Sequence, residues 1–414
     1  MDYRQAVDWL FGVIQFGMKL GLDNPRALLN HFGVPHGDLK IIHVAGTNGK
    51  GSTCAFAHSC LSKAGISTGL FTSPHLIDFR ERIRVGEELI PEKDVAHFLT
   101  QIREHAESME VHPTFFEILF ALALLHFREA GAEAAVIETG LGGRFDATNT
   151  ITPAVSAITS IGLDHQKWLG ETLAEIAGEK AGIIKQGISA VSAPQQPEAQ
   201  AVLEKRAIEV GTNLEIATPN TYPAPDALGL YGGHQQENAA LAVAAIKAAE
   251  FGLKEEDFAK GLKSTTWPAR FQIIDSRGGK IVIDGAHNAH AARALKNTWR
   301  QVFTDQKATV VYSAADGKDA MQFLEEIGPV AERFVFTSSS SNRAVAPGDL
   351  ADLYKKSFTS ADQPPFIIAE DPPNSLTESL NFSNPVLITG SLFLAGDVLA
   401  LLEGEQQTDP SEKL

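Results

Sequence analysis

The chain has 414 residues, of which 44% are hydrophobic and 21% are charged, and its formal net charge is −16. This composition is typical of a globular protein, and the length predicts more than one domain. The strong negative charge argues against nucleic acid or an anionic membrane as a partner. We therefore expect small-molecule substrates, and an anionic substrate has to be attracted by a local positive site.

Several features predict a cytoplasmic protein without a membrane partner. No apolar run approaches the roughly 20 residues that cross a bilayer. Residues 1–5 lack the charged-then-apolar layout of a signal peptide. Cys54 and Cys60 lie in one predicted helix at a spacing that is poor for a disulfide, so we expect two free thiols.

The first 270 residues alternate between strand and helix patterns. This alternation predicts an α/β fold with a parallel sheet, helices on both faces and ligands at the carboxyl ends of the strands. The predicted strands are residues 39–45, 68–72, 134–138, 154–159 and 188–192. The predicted helices are residues 54–64, 92–107, 115–128, 173–181, 198–210 and 238–250.

The pattern breaks at residues 265–270, and a second alternating set follows. Its predicted strands are residues 280–283, 309–312, 333–336 and 386–389. Its predicted helices are residues 289–302, 319–330, 347–357 and 391–402. We therefore predict a parallel-sheet domain over 1–271, a smaller Rossmann-like doubly wound domain over 272–404, a disordered tail over 405–414, and an irregular connection over 218–226.

A glycine-rich segment, Gly46–Thr53, follows the first predicted strand. In such a turn, backbone N–H groups point toward an anion at the positive end of the next helix. Lys50 adds a positive charge, and Ser52 adds a hydroxyl suited to phosphate or Mg²⁺. The match to G-x-x-x-x-G-K-[ST] is imperfect, since Val44 replaces the first glycine and a glycine follows the lysine. The segment predicts a P-loop-type nucleotide site; the alternative is a plain tight turn.

Acidic residues end two further predicted strands or the loops that follow them. Glu138 precedes a loop with three glycines, and a carboxylate beside a phosphate loop is suited to hold Mg²⁺. Asp164 and His165 follow the strand at 154–159, and either is a possible metal ligand. The alternatives are an acidic residue that only ends a strand and a histidine with a loop role.

Two charged segments are each open to two interpretations. Ser73 offers an oxygen to a metal or substrate, and Arg80, Arg82 and Arg84 offer positive charge to anions; the alternative is a mobile surface loop. Residues 178–185 carry two lysines, and the alternative there is a solvated helix end whose lysines favour the helix dipole.

In the second predicted domain, Asp284–Asn288 ends a strand and opens a helix, which suits contacts to ribose or phosphate. A plain N-cap role explains part of Asn288. Arg270, in the linker, is placed to reach phosphates from the opposite side. We therefore expect a nucleotide held between two domains, with closure that expels water.

Together these segments resemble the folylpolyglutamate synthase and dihydrofolate synthase family, within the Mur ligase superfamily of ATP-dependent amide ligases. The resemblance extends from residues 16–22 to residues 388–393. It is carried by residues 46–52, 267–270, 284–288 and 389–392. The glycine between Lys50 and Ser52 resembles this family's variant of the phosphate loop.

The resemblance implies an enzyme that adds L-glutamate to dihydropteroate, to reduced folates, or to both, using ATP and Mg²⁺. The substrate carboxylate would attack the γ-phosphate of ATP to give an acyl phosphate, and the glutamate amine would then displace phosphate. Ala147 resembles the bifunctional type, since the type that only extends glutamate chains often has Ser there. A monomer is expected.

The resemblance also implies roles for individual residues. The implied ATP contacts are Asn48, Gly49, Lys50, Gly51, Ser52, Asn238, Arg270, Asp284 and His287. The implied Mg²⁺ ligands are Ser73, Glu138 and His165, joined by Lys180 once carbamylation makes it carboxylate-like. The candidate catalytic residues are Lys50, Glu138, His165 and Lys180. The implied pterin contacts are Leu20, Gly21, Leu22, Thr72, Thr114, Phe115, Phe116, Phe145, Asp146 and Ala147.

Two departures and three alternatives complete the sequence analysis. The segment 216–232 is shorter than the β-rich excursion that the family often has there, so we expect a missing hairpin. Gly317 stands where the family often has Asp, before the retained Lys318 and Asp319. The alternatives are a folylpolyglutamate synthase only, another Mur-type ligase acting on a UDP-sugar, and a nucleotide switch. No uridine-binding domain is predicted ahead of residue 39, and no guanine-reading Asn-Lys-x-Asp segment occurs.

Overall fold

The computed structural model describes residues 1–17, 21–34, 39–218, 227–276, 279–357, 363–382 and 385–404. The chain forms two compact units. The first comprises residues 1–75, 80–229 and 235–266, and the second comprises residues 76–79, 230–234 and the chain from 267 onward. Residues 219–226 of the expected connection and the tail at 405–414 lie outside the described residues, and the functional boundary at 272 stays a prediction.

The first unit is built on a sheet of eight strands among its described residues, in the order β4-β3-β2-β5-β1-β6-β7-β8. The strands are β1 (Lys40–Ala45), β2 (Thr68–Phe71), β3 (Ile83–Val85), β4 (Glu88–Leu89), β5 (Ala134–Glu138), β6 (Val155–Ile158), β7 (Ser189–Ser192) and β8 (Leu214–Ile216). From β2 to β8 all neighbours are parallel. The predicted parallel sheet is therefore confirmed in its central part.

Helices connect these strands: α1 (Tyr3–Gly12), α2 (Asp23–His31), α3 (Lys50–Lys63), α4 (Glu92–Ala106), α5 (Phe115–Glu129), α6 (Gln166–Leu169), α7 (Leu173–Lys180), α8 (Pro197–Glu209), α9 (Gly233–Ala248) and α10 (Glu255–Ser264). Capping boxes fix several helix starts, among them Thr114 with Glu117 at α5 and Thr172 with Glu175 at α7. Because α5 is apolar on nearly every face, it is buried almost throughout.

The second unit has a sheet of six described strands in the order β13-β12-β11-β14-β10-β9. The strands are β9 (Gln272–Ser276), β10 (Gly279–Ile283), β11 (Ala308–Tyr312), β12 (Ala331–Phe336), β13 (Phe366–Ile368) and β14 (Val386–Thr389). Its helices are α11 (Ala289–Phe303), α12 (Ala320–Ile327), α13 (Pro347–Ser357), α14 (Pro372–Leu380) and α15 (Leu392–Glu403). One core cluster includes residues of α11 to α13 and the other includes residues of α14 and α15, so the predicted doubly wound arrangement is confirmed.

Three strands at or next to a sheet edge pair antiparallel with their neighbours, which the alternation of strands and helices did not predict. β3 pairs antiparallel with both β2 and β4, and β9 pairs antiparallel with β10. Only two positions separate β3 from β4, and only two separate β9 from β10. A parallel connection needs a crossover of about a dozen residues, so these strands can only form hairpins.

Among the described residues no helix has the length and apolar character to span a bilayer. Cys54 and Cys60 are both buried, free thiols on α3, as the sequence predicted.

The packing of α7 and α8 gives a test of the first unit's core. Ile176 on α7 is fully buried, whereas Ile208 on α8 is 79% exposed. We expect Ile176→Ala to lower the free energy of unfolding by about 2–5 kcal/mol because it leaves a cavity. The matched Ile208→Ala should change it by less than about 0.5 kcal/mol. Urea unfolding followed by circular dichroism checks both, and equal midpoints for the two variants would contradict the packing described.

Candidate functional site

The glycine-rich segment joins β1 to α3 at the centre of the first sheet, as its sequence predicted. The backbone amides of Thr47 and Asn48 both donate to the carbonyl of Ser160, at 3.0 and 3.2 Å. Gly46 has φ +153°, and a Cβ there would lie 1.8 Å from Thr159 Oγ1. The loop is thus held against the segment that follows β6, and only glycine fits at its first position.

Helix α3 begins at Lys50, four residues before the predicted helix start. Its N-cap, Gly49, has φ +90°, and a Cβ there would lie 2.3 Å from the Asn238 side-chain oxygen. The first backbone bond into the helix runs from Thr53 N to Gly49 O, so the preceding amides point out of the helix end. The Ser52 and Thr53 hydroxyls are buried and find no hydrogen-bond partner among the described residues. This helix start therefore has donors without partners in the described part of the chain, and its geometry is suited to an anion.

Two ammonium groups share one backbone carbonyl beside this helix start. Lys180 Nζ donates to Gly46 O at 2.7 Å, and Lys50 Nζ donates to the same oxygen at 3.3 Å. Lys180, at the end of α7, is buried, so the solvated-helix-end interpretation is wrong. Burial, helped by the charge of Lys50, lowers the pKa of Lys180 to about 7, while Asp164 and Asp146 act in the opposite direction.

Glu138 and Ser73 lie next to each other at the carboxyl ends of β5 and β2. Glu138 is buried, its Oε1 lies 4.0 Å from Lys50 Nζ, and its Oε2 accepts from the Ser73 amide at 3.2 Å. The carboxylate that the sequence placed beside the phosphate loop therefore faces the loop lysine. Within the described part of the chain, no group of three or more His, Cys, Asp or Glu residues is arranged to hold a metal ion. A metal here would need hydroxyl, carbamate or phosphate oxygens as well.

His165 sits in the left-handed backbone region, at φ +50°, as the residue before α6. Its side chain is 49% exposed, and its Nε2 lies 4.0 Å from Asp164 Oδ1. Its neighbour Asp164 is largely buried and interacts electrostatically with Lys180. The sequence left both residues open as metal ligands, and the structure links Asp164 to the lysine pair.

The three arginines after β2 have different environments. Arg82 is 1% exposed, donates from Nε to His75 Nδ1 at 2.8 Å, and lies over the Phe115 ring. Arg80 Nη1 is 3.7 Å from a Glu92 carboxylate oxygen. Arg84 Nε donates to the Glu81 carbonyl at 3.4 Å. The mobile-surface-loop interpretation is therefore wrong for Arg82.

The residues expected to contact pterin lie on four segments of the first unit. Gly21 and Leu22 precede α2, Thr72 follows β2, and Thr114, Phe115 and Phe116 open α5, while Leu20 lies outside the described residues. Phe145 is 45% exposed, whereas Asp146 is buried and caps the short 3-10 turn Ala147–Thr150. The turn packs against both α2 and α5, so three of these four segments converge.

His43 and Thr148 belong to this region and were missed by sequence analysis. His43 Nε2 lies 2.8 Å from Thr148 Oγ1, and Thr148 donates to Asp146. The signal was available, since a histidine in a fully buried central strand is unusual.

In the second unit, Asp284 organises the end of β10. Its two carboxylate oxygens accept from the amides of Phe271 and Ala286, both at 2.9 Å. Burial raises its pKa, and the neighbouring Arg270 acts to lower it. His287 Nδ1 lies 2.9 Å from Gly285 O, and Asn288 caps α11. Asp284 thus holds the backbone around Arg270 and His287 in place.

Gly317, where the sequence differs from the family pattern, lies just before α12. Gly317 has φ +78°, and Asp319 accepts from Gln322 N as the N-cap of that helix. The retained Asp319 therefore has a structural role at this position.

Comparison with known proteins identifies the class of protein to which this chain belongs. Residues 44–192 match the Mur ligase middle domain, and residues 269–391 match the Mur ligase glutamate ligase domain. The dihydrofolate synthase/folylpolyglutamate synthase of Bacillus subtilis is 36% identical over 430 residues, which cover 96% of this chain and 98% of that protein. The chain belongs to the dihydrofolate synthase/folylpolyglutamate synthase family of Mur ligases.

Solved structures agree with this assignment. The structure of E. coli FolC in complex with DHPP and ADP has a TM-score of 0.86 and 26% identity, and covers 98% of both chains. The bifunctional folylpolyglutamate synthase/dihydrofolate synthase of Yersinia pestis, complexed with AMPPNP and Mn ion, has a TM-score of 0.85 and 29% identity. That match covers 97% of this chain and 98% of the Yersinia chain.

The close approach of Gly49 to Asn238 predicts a sharp difference between two glycine substitutions. We expect Gly49→Ala to reduce ATP-dependent turnover at least about tenfold, because a Cβ at φ +90° displaces Asn238 and distorts the start of α3. The control is Gly178→Ala on α7, where a Cβ meets nothing within 4 Å. That change should leave turnover intact and stabilise the helix by about 0.5–1 kcal/mol. Steady-state kinetics and thermal melts of both variants decide, and equal turnover would count against the loop geometry.

Proposed function

We propose that this protein is an ATP-dependent ligase that joins L-glutamate to dihydropteroate and to reduced folates. The observation that carries the proposal is the pair of ammonium groups on Gly46 O, beside Glu138 and the open start of α3. In a chain with net charge −16, two lysine side chains meet at this point. Such a concentration is what a polyphosphate substrate requires.

The phosphate groups of ATP fit the start of α3. The outward amides of the first turn and Lys50 supply hydrogen-bond donors. The buried Ser52 and Thr53 hydroxyls, which have no partner among the described residues, add two more. Asn48, Gly51 and Asn238 complete the predicted ATP contacts in the first unit. Asn238 lies against Gly49 at the start of α3. In the second unit the predicted ATP contacts are Arg270, Asp284 and His287. Asp284 accepts from the Phe271 amide and so holds the backbone next to Arg270.

The donor set also fits Mg²⁺. Glu138 and Ser73 lie side by side, and hard oxygen ligands are those that Mg²⁺ prefers. His165 and a carbamate on Lys180 are the remaining predicted ligands. When bound, the ion would neutralise charge on the phosphate oxygens.

The chemistry follows from what these residues stabilise. A carboxylate oxygen of the pterin substrate attacks the γ-phosphorus, the bond to ADP breaks, and Lys50 with the α3 amides faces the charge on the transferred group. The amine of L-glutamate then attacks the acyl carbon, the carbon–oxygen bond to phosphate breaks, and the amide forms with loss of a proton. Orientation of the substrates supplies much of the rate.

The pterin is proposed to lie against the converging segments of the first unit. Gly21 and Leu22 before α2, Phe115 and Phe116 at the start of α5, and Phe145 supply apolar surface. Asp146 supplies a carboxylate that can accept the N–H groups of the pterin ring. Leu20, Thr72, Thr114 and Ala147 complete the predicted set.

We further propose a cytoplasmic monomer that acts on small molecules and not on nucleic acid or membranes. The acidic composition disfavours anionic polymers and surfaces. The two buried free thiols suit a reducing compartment.

The decisive assay supplies purified protein with ATP, Mg²⁺, L-glutamate and either dihydropteroate or tetrahydrofolate. We expect glutamate-dependent ADP release with both pterins and products that are one glutamyl residue heavier by mass spectrometry. Release with tetrahydrofolate alone would restrict the protein to folylpolyglutamate synthesis. No glutamate-dependent release with either pterin would contradict the proposal, and a UDP-sugar acceptor tests the more distant Mur-type alternative.

A carbamate on Lys180 makes a separate prediction. Carbon dioxide reacts with the neutral amine, forming an N–C bond and releasing a proton, and a pKa of about 7 makes that amine available from neutral pH upward. We expect Lys180→Ala to lower kcat by about 10²-fold or more with an unchanged circular dichroism spectrum. Wild-type activity should fall in carbon-dioxide-free buffer and recover with bicarbonate, more completely at pH 8 than at pH 6.

The matched control is Lys205→Ala, whose side chain is 78% exposed on α8. It should retain wild-type activity under all these conditions. Survival of activity in Lys180→Ala would show that the carbamate role is wrong.

A further inference from the structure

A histidine is buried in the central strand of the first unit. His43 has no exposed surface, and in the sheet register it lies between Ile137 of β5 and Ser156 of β6. A strand that is buried on both faces usually carries apolar residues, which need no hydrogen bond. A histidine here places a polar ring inside the core, and among the described residues its Nε2 has a hydrogen-bond partner whereas its Nδ1 has none.

Its ring is one end of a chain of hydrogen bonds. His43 Nε2 lies 2.8 Å from Thr148 Oγ1, and Thr148 is itself fully buried. The Thr148 hydroxyl donates to Asp146 Oδ1, and the Thr148 amide donates to the same oxygen at 3.0 Å. The other oxygen of Asp146 accepts from Leu141 N at 2.9 Å. The chain therefore runs from the centre of the sheet to the carboxylate that opens the turn.

The direction of each proton follows from the acceptors. Backbone amides donate to both oxygens of Asp146, so the carboxylate is used as an acceptor on both sides. The Thr148 hydroxyl has one proton, which goes to Asp146, so its oxygen has to accept from His43 Nε2–H. Burial, with the nearby charge of Lys185, lowers the pKa of His43 to about 3, so the ring stays neutral near pH 7.

The turn held by this chain contacts two of the segments that carry the predicted pterin residues. Ala147–Thr150 packs against α2, which follows Gly21 and Leu22, and against α5, which starts with Phe115 and Phe116. Asp146 itself is 7% exposed. A small rotation of its carboxylate would therefore misdirect the polar group that faces a bound ring.

We infer that His43 is a positioning residue for substrate recognition: through the Thr148 hydroxyl it fixes the orientation of the Asp146 carboxylate toward the pterin ring. The inference rests on the proposed function, because Asp146 is assigned to the pterin there. His43 does not touch the reacting atoms. Its loss should weaken pterin binding and leave phosphate chemistry unchanged.

Kinetics on matched variants test this role. His43→Leu removes the donor and keeps an apolar side chain, whereas His43→Gln keeps an N–H where Nε2 lies. We expect His43→Leu to raise KM for dihydropteroate about tenfold, as for a lost hydrogen bond in a chain that ends on a charge, with KM for ATP and kcat within about twofold. His43→Gln should restore KM to within about threefold of wild type.

A double-mutant cycle separates a shared chain from independent packing effects. Thr148→Val should raise the same KM as His43→Leu, Thr148→Ser should not, and the double variant should be no worse than either single one. Additive effects in the double variant, or equal increases in KM for ATP and dihydropteroate, would overturn the inference.

A spectroscopic readout does not depend on activity, and it uses His43→Gln only to assign the signals. In protein labelled with ¹⁵N-histidine, the signals of His43, identified by their absence in His43→Gln, should show a protonated Nε2 and an unprotonated Nδ1 down to pH 5. A ring protonated on Nδ1, or one that titrates near pH 6, would refute the hydrogen-bond direction. Failure of wild-type protein to ligate glutamate would instead refute the proposed function, since the tautomer result stands apart from it.

Discussion

The two ammonium groups that share the Gly46 carbonyl are the interaction on which the site of the first unit depends. Like charges repel, and both Lys50 and Lys180 lie in a region with little solvent. Glu138, Asp164 and Asp146 offset part of this repulsion. Burial is the main reason why the pKa of Lys180 is lowered, and it is joined by this repulsion from Lys50. A polyphosphate at the start of α3 and a negative carbamate on Lys180 would each relieve it.

The parallel sheet is what brings these groups together. β2, β5, β1 and β6 are adjacent and run in the same direction, so Ser73, Glu138, Gly46 and Ser160 follow strand ends on one edge. Residues far apart in sequence therefore meet without long side chains. Helix α7 returns to the same edge and places Lys180 under the loop, because its capping box and buried Ile176 fix both its start and its packing.

Local patterns explain why part of the structure was predictable. Strands such as Ala134–Glu138 and Val386–Thr389 are buried on both faces, so they read as continuous apolar runs with clear ends. The phosphate loop is likewise a contiguous motif. The half-exposed β9 and the short β3, β4, β8 and β13 lack long buried runs and were missed.

Burial of charged groups was not predictable from the sequence. A lysine in the last turn of a helix is usually solvated, and Lys180 is buried only because the loop from β1 covers it. Arg82 is buried for a similar reason, since the Phe115 ring that it lies over comes from a distant part of the chain. His43 looked like a strand residue because its partner Thr148 lies more than a hundred positions away.

The central claim is that the first unit presents the γ-phosphate of ATP to a substrate carboxylate. It is tested most directly with dihydropteroate carrying ¹⁸O in its carboxylate, incubated with ATP, Mg²⁺ and L-glutamate. An acyl phosphate keeps one carboxylate oxygen on phosphorus when the amine attacks the acyl carbon. Mass spectrometry should therefore find one ¹⁸O in each released phosphate, and unlabelled phosphate alongside glutamylated product would contradict the account.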